Sequence, residues 1–186
     1  MVEMKRTQET LKEVFRDSCL KRLKKASRNG SYSKDKEIIQ RLYAEITLLK
    51  AVDIMLYLPL QTEADISSLI GKLRREGKRL YVPFMEGESF RLVKYRLPLE
   101  RKKFGIKEPK NSKQYRRKTI DLAIVPIVGL DASGRRVGFG KGMYDRFYER
   151  ENKNIKKTVF VARALCFSPV IVTDDYDVKA DMVIAR

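Results

Sequence analysis

The stretch Ile120-Asp121-Leu122-Ala123-Ile124-Val125-Pro126 decides the fold. It is short, almost wholly apolar and stopped by a proline, so it reads as a strand buried on both faces. Working outward, Asp53 to Leu58 repeats the pattern and is halted by Pro59, and Arg79 to Pro83 looks like a further strand. Phe90 to Tyr95, Thr158 to Ala164 and Met182 to Ala185 complete the strand candidates, whereas Phe104 to Pro109 is loop-like. Between them lie segments with helical spacing. Thr7 to Ala26 carries Leu11, Val14, Phe15, Cys19, Leu20 and Leu23 on one stripe, and Arg28-Asn29-Gly30-Ser31 ends it. Lys34 to Leu49 places Ile38, Ile39, Leu42, Ile46 and Leu49 inward; Ala64 to Glu76 and Tyr144 to Lys153 are the remaining helices. Strands alternating with helices predict a single-domain three-layer α/β/α fold with a mostly parallel central sheet. Ligands in such folds bind where loops leave the carboxyl ends of the strands, and the loop after Pro126 lies there.

Composition narrows the chemistry. The chain has 186 residues, no window apolar enough to span a membrane, and no apolar region near its N-terminus of the kind a signal peptide has. Histidine is absent, which excludes a Ser-His-Asp triad, a Cys-His pair and a histidine-ligated zinc. Cys19 and Cys166 stand alone, with no metal-site spacing and no disulfide framework, which fits a reducing cytoplasm. Lys and Arg number 41 against 24 Asp and Glu, a formal net charge of +17. That balance attracts polyanions and by itself leans towards nucleic acid. The basic runs at Lys21 to Lys25, Lys72 to Lys78, Arg101 to Lys103, Lys113 to Lys118 and Lys153 to Lys157 are spread along the chain, however. They read mostly as solvated faces, and no helix-turn-helix, zinc-finger or RNA-recognition spacing accompanies them.

The segment that carries chemistry is Gly134-Arg135-Arg136-Val137-Gly138-Phe139-Gly140-Lys141-Gly142-Met143-Tyr144-Asp145-Arg146. Alternate glycines let backbone amides approach an anion, and a helix starting near Tyr144 would aim its positive end at it. Lys141 and Arg136 supply charge for phosphate oxygens. The spacing is neither a P-loop nor a dinucleotide fingerprint, and glycines in such a turn serve equally as structural residues.

This segment resembles the signature of the 5-formyltetrahydrofolate cyclo-ligase family, approximately G-x-R-L-G-x-G-x-G-Y-Y-D, with Gly134, Arg136, Gly138, Gly140, Gly142, Tyr144 and Asp145 matching. Lys12 and Arg16, followed by Arg22, look like the family's N-terminal K-x-x-x-R pattern, which contacts ATP. Tyr57 to Glu63 resembles its Y-x-x-x-x-x-E segment, whose glutamate binds the folate, and Gly105 to Pro109 its G-I-x-E-P loop. The first tyrosine of Y-Y-D is Met143 here, and the region of Cys166 departs from the family's usual glutamine and proline placement.

The resemblance implies closure of 5-formyltetrahydrofolate to 5,10-methenyltetrahydrofolate with ATP and Mg2+, releasing ADP and phosphate. The formyl oxygen would attack the γ-phosphate, and N10 would then close the ring as phosphate leaves. It further implies that Lys12, Arg16, Arg136, Gly138, Phe139, Gly140, Lys141, Gly142, Met143 and Tyr144 bind the nucleotide. Leu58, Glu63, Gly140, Lys141, Gly142, Met143 and Tyr144 would line the folate site, with Lys141, Arg136 and Glu63 taking part in catalysis. Asp145 and, near the C-terminus, Asp177 would hold the magnesium. Plainer roles stay open for several of these: a solvated pair for Lys12 and Arg16, a helix-dipole partner for Glu63, a cap for Asp145, packing for Tyr144 and a solvated acidic turn for Asp177. The implied partner is a small folate, polyglutamylated or not, in the cytoplasm. Neither membrane nor nucleic acid is expected as a partner, and the chain is expected as a monomer or weak homodimer. The readings set beside it are a same-fold ATP-dependent enzyme with another substrate and a non-catalytic nucleic-acid binder.

Overall fold

A computed structural model describes residues 2–28, 30–102, 105–110 and 119–186, with side chains from residue 9 onward. The basic run Lys113 to Lys118, Lys103, Phe104 and Asn29 lie outside the described residues.

Six strands form the central sheet: β1 (Asp53–Met55), β2 (Arg79–Glu86), β3 (Ser89–Lys94), β6 (Leu122–Pro126), β9 (Thr158–Ala162) and β11 (Met182–Ala185). Their order is β11-β9-β6-β1-β2-β3, and every pairing is parallel except the β2–β3 hairpin. The deciding stretch sits as β6 between β9 and β1, buried at every position. Alternation sorts the side chains to two faces. Ile54, Leu80, Val82, Leu122, Ile124, Val159 and Val161 pack against Ile38, Leu42 and Ile46 of α2 (Ser31–Leu48) and Leu69, Ile70 and Leu73 of α3 (Ser67–Arg75). Met55, Tyr81, Ala123, Val125 and Phe160 pack on the opposite face against Phe147 and Tyr148 of α4 (Met143–Glu151). These are the three expected layers.

Other elements depart from expectation. Three short strands, β7 (Gly129–Asp131), β8 (Arg136–Val137) and β10 (Phe167–Ser168), form a second small sheet. The segment Lys107–Pro109, read as loop, pairs as β5 with β4 (Leu99–Arg101) because Glu108 is buried and accepts the Met85 N–H at 2.8 Å. The strand from Asp53 ends at Met55 and that from Thr158 at Ala162, while the helix expected from Ala64 begins at Ser67.

The first helix, α1 (Val2–Arg28), buries the expected stripe from Phe15 through Cys19 and Leu20 to Leu23 but not its first two residues. Leu11 and Val14 are 50% and 64% exposed, and Lys12, Phe15, Arg16, Cys19 and Leu23 point inward. The reason is its position: α1 packs on Val128, at the carboxyl end of β6, where polar partners await its cations. Gly129 permits the approach, since a Cβ there would lie 2.8 Å from Phe15 Cε1. The cysteines do not stand alone, either. Cys19 and Cys166 form a disulfide with their Cα atoms 5.5 Å apart, joining α1 to the segment between β9 and β10. Spacing in sequence gave no sign of it, because the two lie 147 positions apart.

Candidate functional site

The loops leaving the carboxyl ends of β1, β6 and β9 converge with α1, and most of the candidate residues meet there. The chain after β6 runs through the β7–β8 hairpin, which buries Arg136, and then into the glycine-rich segment. Gly140 and Gly142 have φ of +86° and +60°, a region that other residues enter only with strain. Gly142 is the N-cap of α4, so the helix begins directly after the loop with its amide end facing the turn.

Two cations point inward from α1, one to this loop and one to the acidic turn near the C-terminus. Arg16 Nε donates to the Gly138 carbonyl at 3.0 Å, and its guanidinium lies about a van der Waals contact from where a Gly140 Cβ would stand. Lys12 Nζ binds both Asp177 and Asp174, and its side chain is only 12% exposed. Neither is a solvated helix residue.

Arg136 donates from Nη2 to Asp145 Oδ1 and Oδ2 at 3.0 and 2.9 Å, and its guanidinium carbon lies 5.0 Å from the Tyr144 ring centre. Its buried Nε has no partner among the described residues. A buried donor left unpaired is costly, and this one lies in a residue whose Nη1 would touch a Cβ on Gly138. Asp145 also takes a long contact from the Val178 N–H at 3.4 Å, which brings it beside Asp177. Asp177 accepts the Asp174 N–H at 2.8 Å as well as Lys12.

Both metal candidates are therefore ion-paired, and the described residues hold no cluster of three acidic, histidine or cysteine side chains suited to a metal. Such a donor set still suits magnesium, which uses one or two carboxylates and completes its shell with phosphate and water oxygens.

Glu63 closes the other side. It is buried after β1, and its Oε2 accepts the Leu60 N–H at 2.8 Å. Burial pushes its carboxyl up to about 7, against the opposing pull of that N–H and of Arg163. Its field, after burial itself, helps raise the Tyr57 and Tyr144 hydroxyls. Beside it a cavity of about 670 Å³ opens between the Pro59–Thr62 loop and Arg101 and Lys107 of the β4–β5 hairpin.

Leu58 is half-buried against the α2–α3 face, and Met143 lies against the opposite one. Phe139 and Lys141 are exposed at the tip of the loop. Three residues that sequence reasoning passed over belong here. Arg163 is buried and donates to both Asp35 oxygens at 2.8 and 2.9 Å, to Ser27 and to the Gln61 carbonyl. An arginine closing the apolar run Val159-Phe160-Val161-Ala162 was its signal. Asp131 anchors Val172 and Thr173 through their N–H groups, both at 2.9 Å. Asp174 shares Lys12 with Asp177.

An open, mostly parallel sheet with cations and glycines gathered at its strands' carboxyl ends is the architecture of an α/β enzyme working on an anionic ligand. The model of the 5-formyltetrahydrofolate cyclo-ligase family matches residues 8–186, and the chain belongs to that family of C–N bond-forming ligases. A mouse 5-formyltetrahydrofolate cyclo-ligase is 24% identical over 193 residues, covering 96% of this chain and 95% of the relative. The Escherichia coli K12 enzyme of the same name is 29% identical over 111 residues, covering 53% and 58%. The solution structure of Aquifex aeolicus 5,10-methenyltetrahydrofolate synthetase superposes with a TM-score of 0.77 at 29% identity, covering 94% of this chain and 89% of that one. The Mycoplasma pneumoniae synthetase, at 22% identity and a TM-score of 0.70 over 93% and 97%, shares the fold. Among the described residues no helix is long and apolar enough to cross a membrane.

Proposed function

We propose that the chain converts 5-formyltetrahydrofolate to 5,10-methenyltetrahydrofolate in an ATP- and Mg2+-dependent reaction that releases ADP and phosphate. The observation that carries the proposal is the convergence of two α1 cations on one end of the sheet: Arg16 on the Gly138–Gly142 loop, and Lys12 on Asp177, which neighbours the Val178 N–H that Asp145 accepts. Lys12, Arg16, Arg136 and Lys141 neutralise nucleotide phosphates, while the backbone from Gly138 through Phe139, Gly140, Gly142 and Met143 to Tyr144 donates amides at the α4 terminus. Leu58, Glu63, Met143 and Tyr144 line the folate side.

Phosphoryl transfer runs mainly on positioning and charge neutralisation. A chain without histidine can therefore carry it out. Asp145 and Asp177 would hold magnesium, which would supply positive charge against the phosphoryl oxygens. The ion pairs Arg136–Asp145 and Lys12–Asp177 keep the cations and carboxylates of the site apposed. Glu63, protonated near neutrality, can donate as well as accept towards the nitrogens and carbonyl of a folate. The Cys19–Cys166 bond removes the cysteines as a sign of a reducing compartment. A cytoplasmic location now rests on the folate reading.

The test is an absorbance assay with ATP, Mg2+ and 5-formyltetrahydrofolate, watched for the methenyl chromophore in the near ultraviolet. Growth of the chromophore that requires all three components is expected. Its absence, with an authentic cyclo-ligase active in parallel, refutes the proposal.

A further inference from the structure

Arg146, one residue beyond Asp145 on α4, has no part in the reading above, yet its guanidinium spans two backbone segments. Nε and Nη2 donate to the Glu88 carbonyl at 2.9 and 2.5 Å, and Nη2 also donates to the Lys141 carbonyl at 2.5 Å. Glu88 lies in the turn between β2 and β3, whereas Lys141 lies in the glycine-rich loop. One planar group thus ties the loop to the tip of a rigid hairpin in the central sheet. The tie has reinforcement on both sides. Ser89 Oγ donates to the Met143 carbonyl at 3.2 Å, and Arg150 donates to Ser89 Oγ and the Phe90 carbonyl, each at 3.1 Å. The loop is cut to fit it, since a Cβ on Gly142 would stand 2.8 Å from Arg146 Nη1.

The consequence follows from peptide geometry. A trans peptide is planar, with its C=O and the next N–H pointing in opposite directions. Holding the Lys141 carbonyl therefore fixes the Gly142 N–H away from the guanidinium, and it limits how far the Lys141 backbone can swing. An amide aimed in advance binds an anion without the reorganisation a mobile loop requires. We infer that Arg146 is a positioning residue that latches the glycine-rich loop to the β2–β3 turn and holds its amides ready for phosphate. The inference rests on the reading that this loop binds nucleotide phosphate.

Amide exchange and steady-state kinetics of the full chain test it together. In ligand-free Arg146→Ala, amides of residues 138–143 should exchange about tenfold faster, while those of β6 and β9 stay unchanged. The KM for ATP should rise about tenfold, the scale of a lost supporting contact, with kcat and the KM for 5-formyltetrahydrofolate altered less than about twofold. Arg146→Lys, which keeps the charge but not the planar fork, should fall between the two and also serves if the alanine variant folds poorly. Unchanged exchange in the loop, or equal rises in both KM values alongside a lower Tm, would overturn the latch. A wild-type chain that fails to bind MgATP directly would overturn the nucleotide reading instead. Wild-type binding with an unaltered KM in Arg146→Ala would overturn the latch alone.

Discussion

Glu63→Gln should stabilise the protein at alkaline pH while impairing it as an enzyme. The buried carboxyl has been raised from 4.5 to about 7, first by desolvation, with the Leu60 N–H and Arg163 opposing. Each tenfold in proton affinity is worth about 1.4 kcal/mol, so ionised Glu63 costs the fold on the order of 3 kcal/mol. Between pH 4.5 and about 7 the folded chain holds this proton and the unfolded chain has released it. Stability must therefore fall as pH rises through that window, and the loss remains above it. Glutamine never ionises, yet its amide oxygen can still accept the Leu60 N–H. Any fixed cost of burying the amide shifts the variant by a constant and leaves the slope intact.

Guanidinium unfolding of both proteins at pH 5, 6, 7 and 8 gives the difference directly. The variant should gain about 2.5 kcal/mol on wild type between the lowest and highest pH, since pH 5 already lies above the unfolded value. A difference that stays flat across the range would refute the claim that burial holds this carboxyl protonated. Activity is a separate readout. The KM for the folate should rise in the variant, and a variant with full activity would remove Glu63 from the substrate site while leaving the stability argument standing.

Lys141→Ala should weaken MgATP binding by about 1.5–3 kcal/mol, the scale of a charged hydrogen bond, and unchanged affinity by calorimetry would take Lys141 out of the site. Gly129→Ala would set its Cβ 2.8 Å from Phe15 Cε1 and 3.1 Å from Cys19 Sγ, which forces α1 outward. A loss of about 1–3 kcal/mol in unfolding free energy is expected, together with weaker ATP binding, because Lys12 and Arg16 ride on α1. ATP affinity equal to wild type would separate the helix from the nucleotide. Reduction of the Cys19–Cys166 bond should lower stability by about 2–5 kcal/mol, towards the upper end for so long a closed loop. Two reactive thiols in denatured, unreduced protein would show that the bond does not form.

The sheet was legible because buried strands leave a signal that survives without tertiary context. Ile120 to Pro126 and Thr158 to Ala162 are nearly continuous apolar runs, and parallel strands covered on both faces have to be. The small sheet was not legible, because β8 and β10 have two residues each and so no period to detect. Glu108 shows a related failure. Its segment looked like loop, and only the Met85 N–H across the fold makes a buried acceptor there useful.

The first helix kept only part of its expected face. Phe15, Cys19, Leu20 and Leu23 of the apolar stripe pack inward, but Leu11 and Val14 of the same stripe are exposed. Reading the whole stripe as buried assumes a helix packed on apolar core throughout. Because α1 instead lies over the carboxyl ends of the strands, its inner face must serve carbonyls and carboxylates, and Lys12 and Arg16 are directed inward for that reason. The pattern that located these two residues came from family resemblance, and no argument from periodicity could have chosen them over Lys21 or Arg22.

The same geometry alters the reading of net charge. Three cations of the site are matched by carboxylates: Lys12 by Asp174 and Asp177, Arg136 by Asp145, and Arg163 by Asp35. These pairs contribute little to the excess of +17. The surplus lies on the outer faces, and Lys21, Lys24, Lys25 and Arg28 line a groove of about 460 Å³ along α1. Charges so placed act over roughly 8 Å at physiological salt, too short a range to bind a ligand held in the paired interior but enough to raise its rate of arrival. Salt should therefore slow association of a polyanionic substrate more than it speeds release, a division that follows from where the unpaired charges stand.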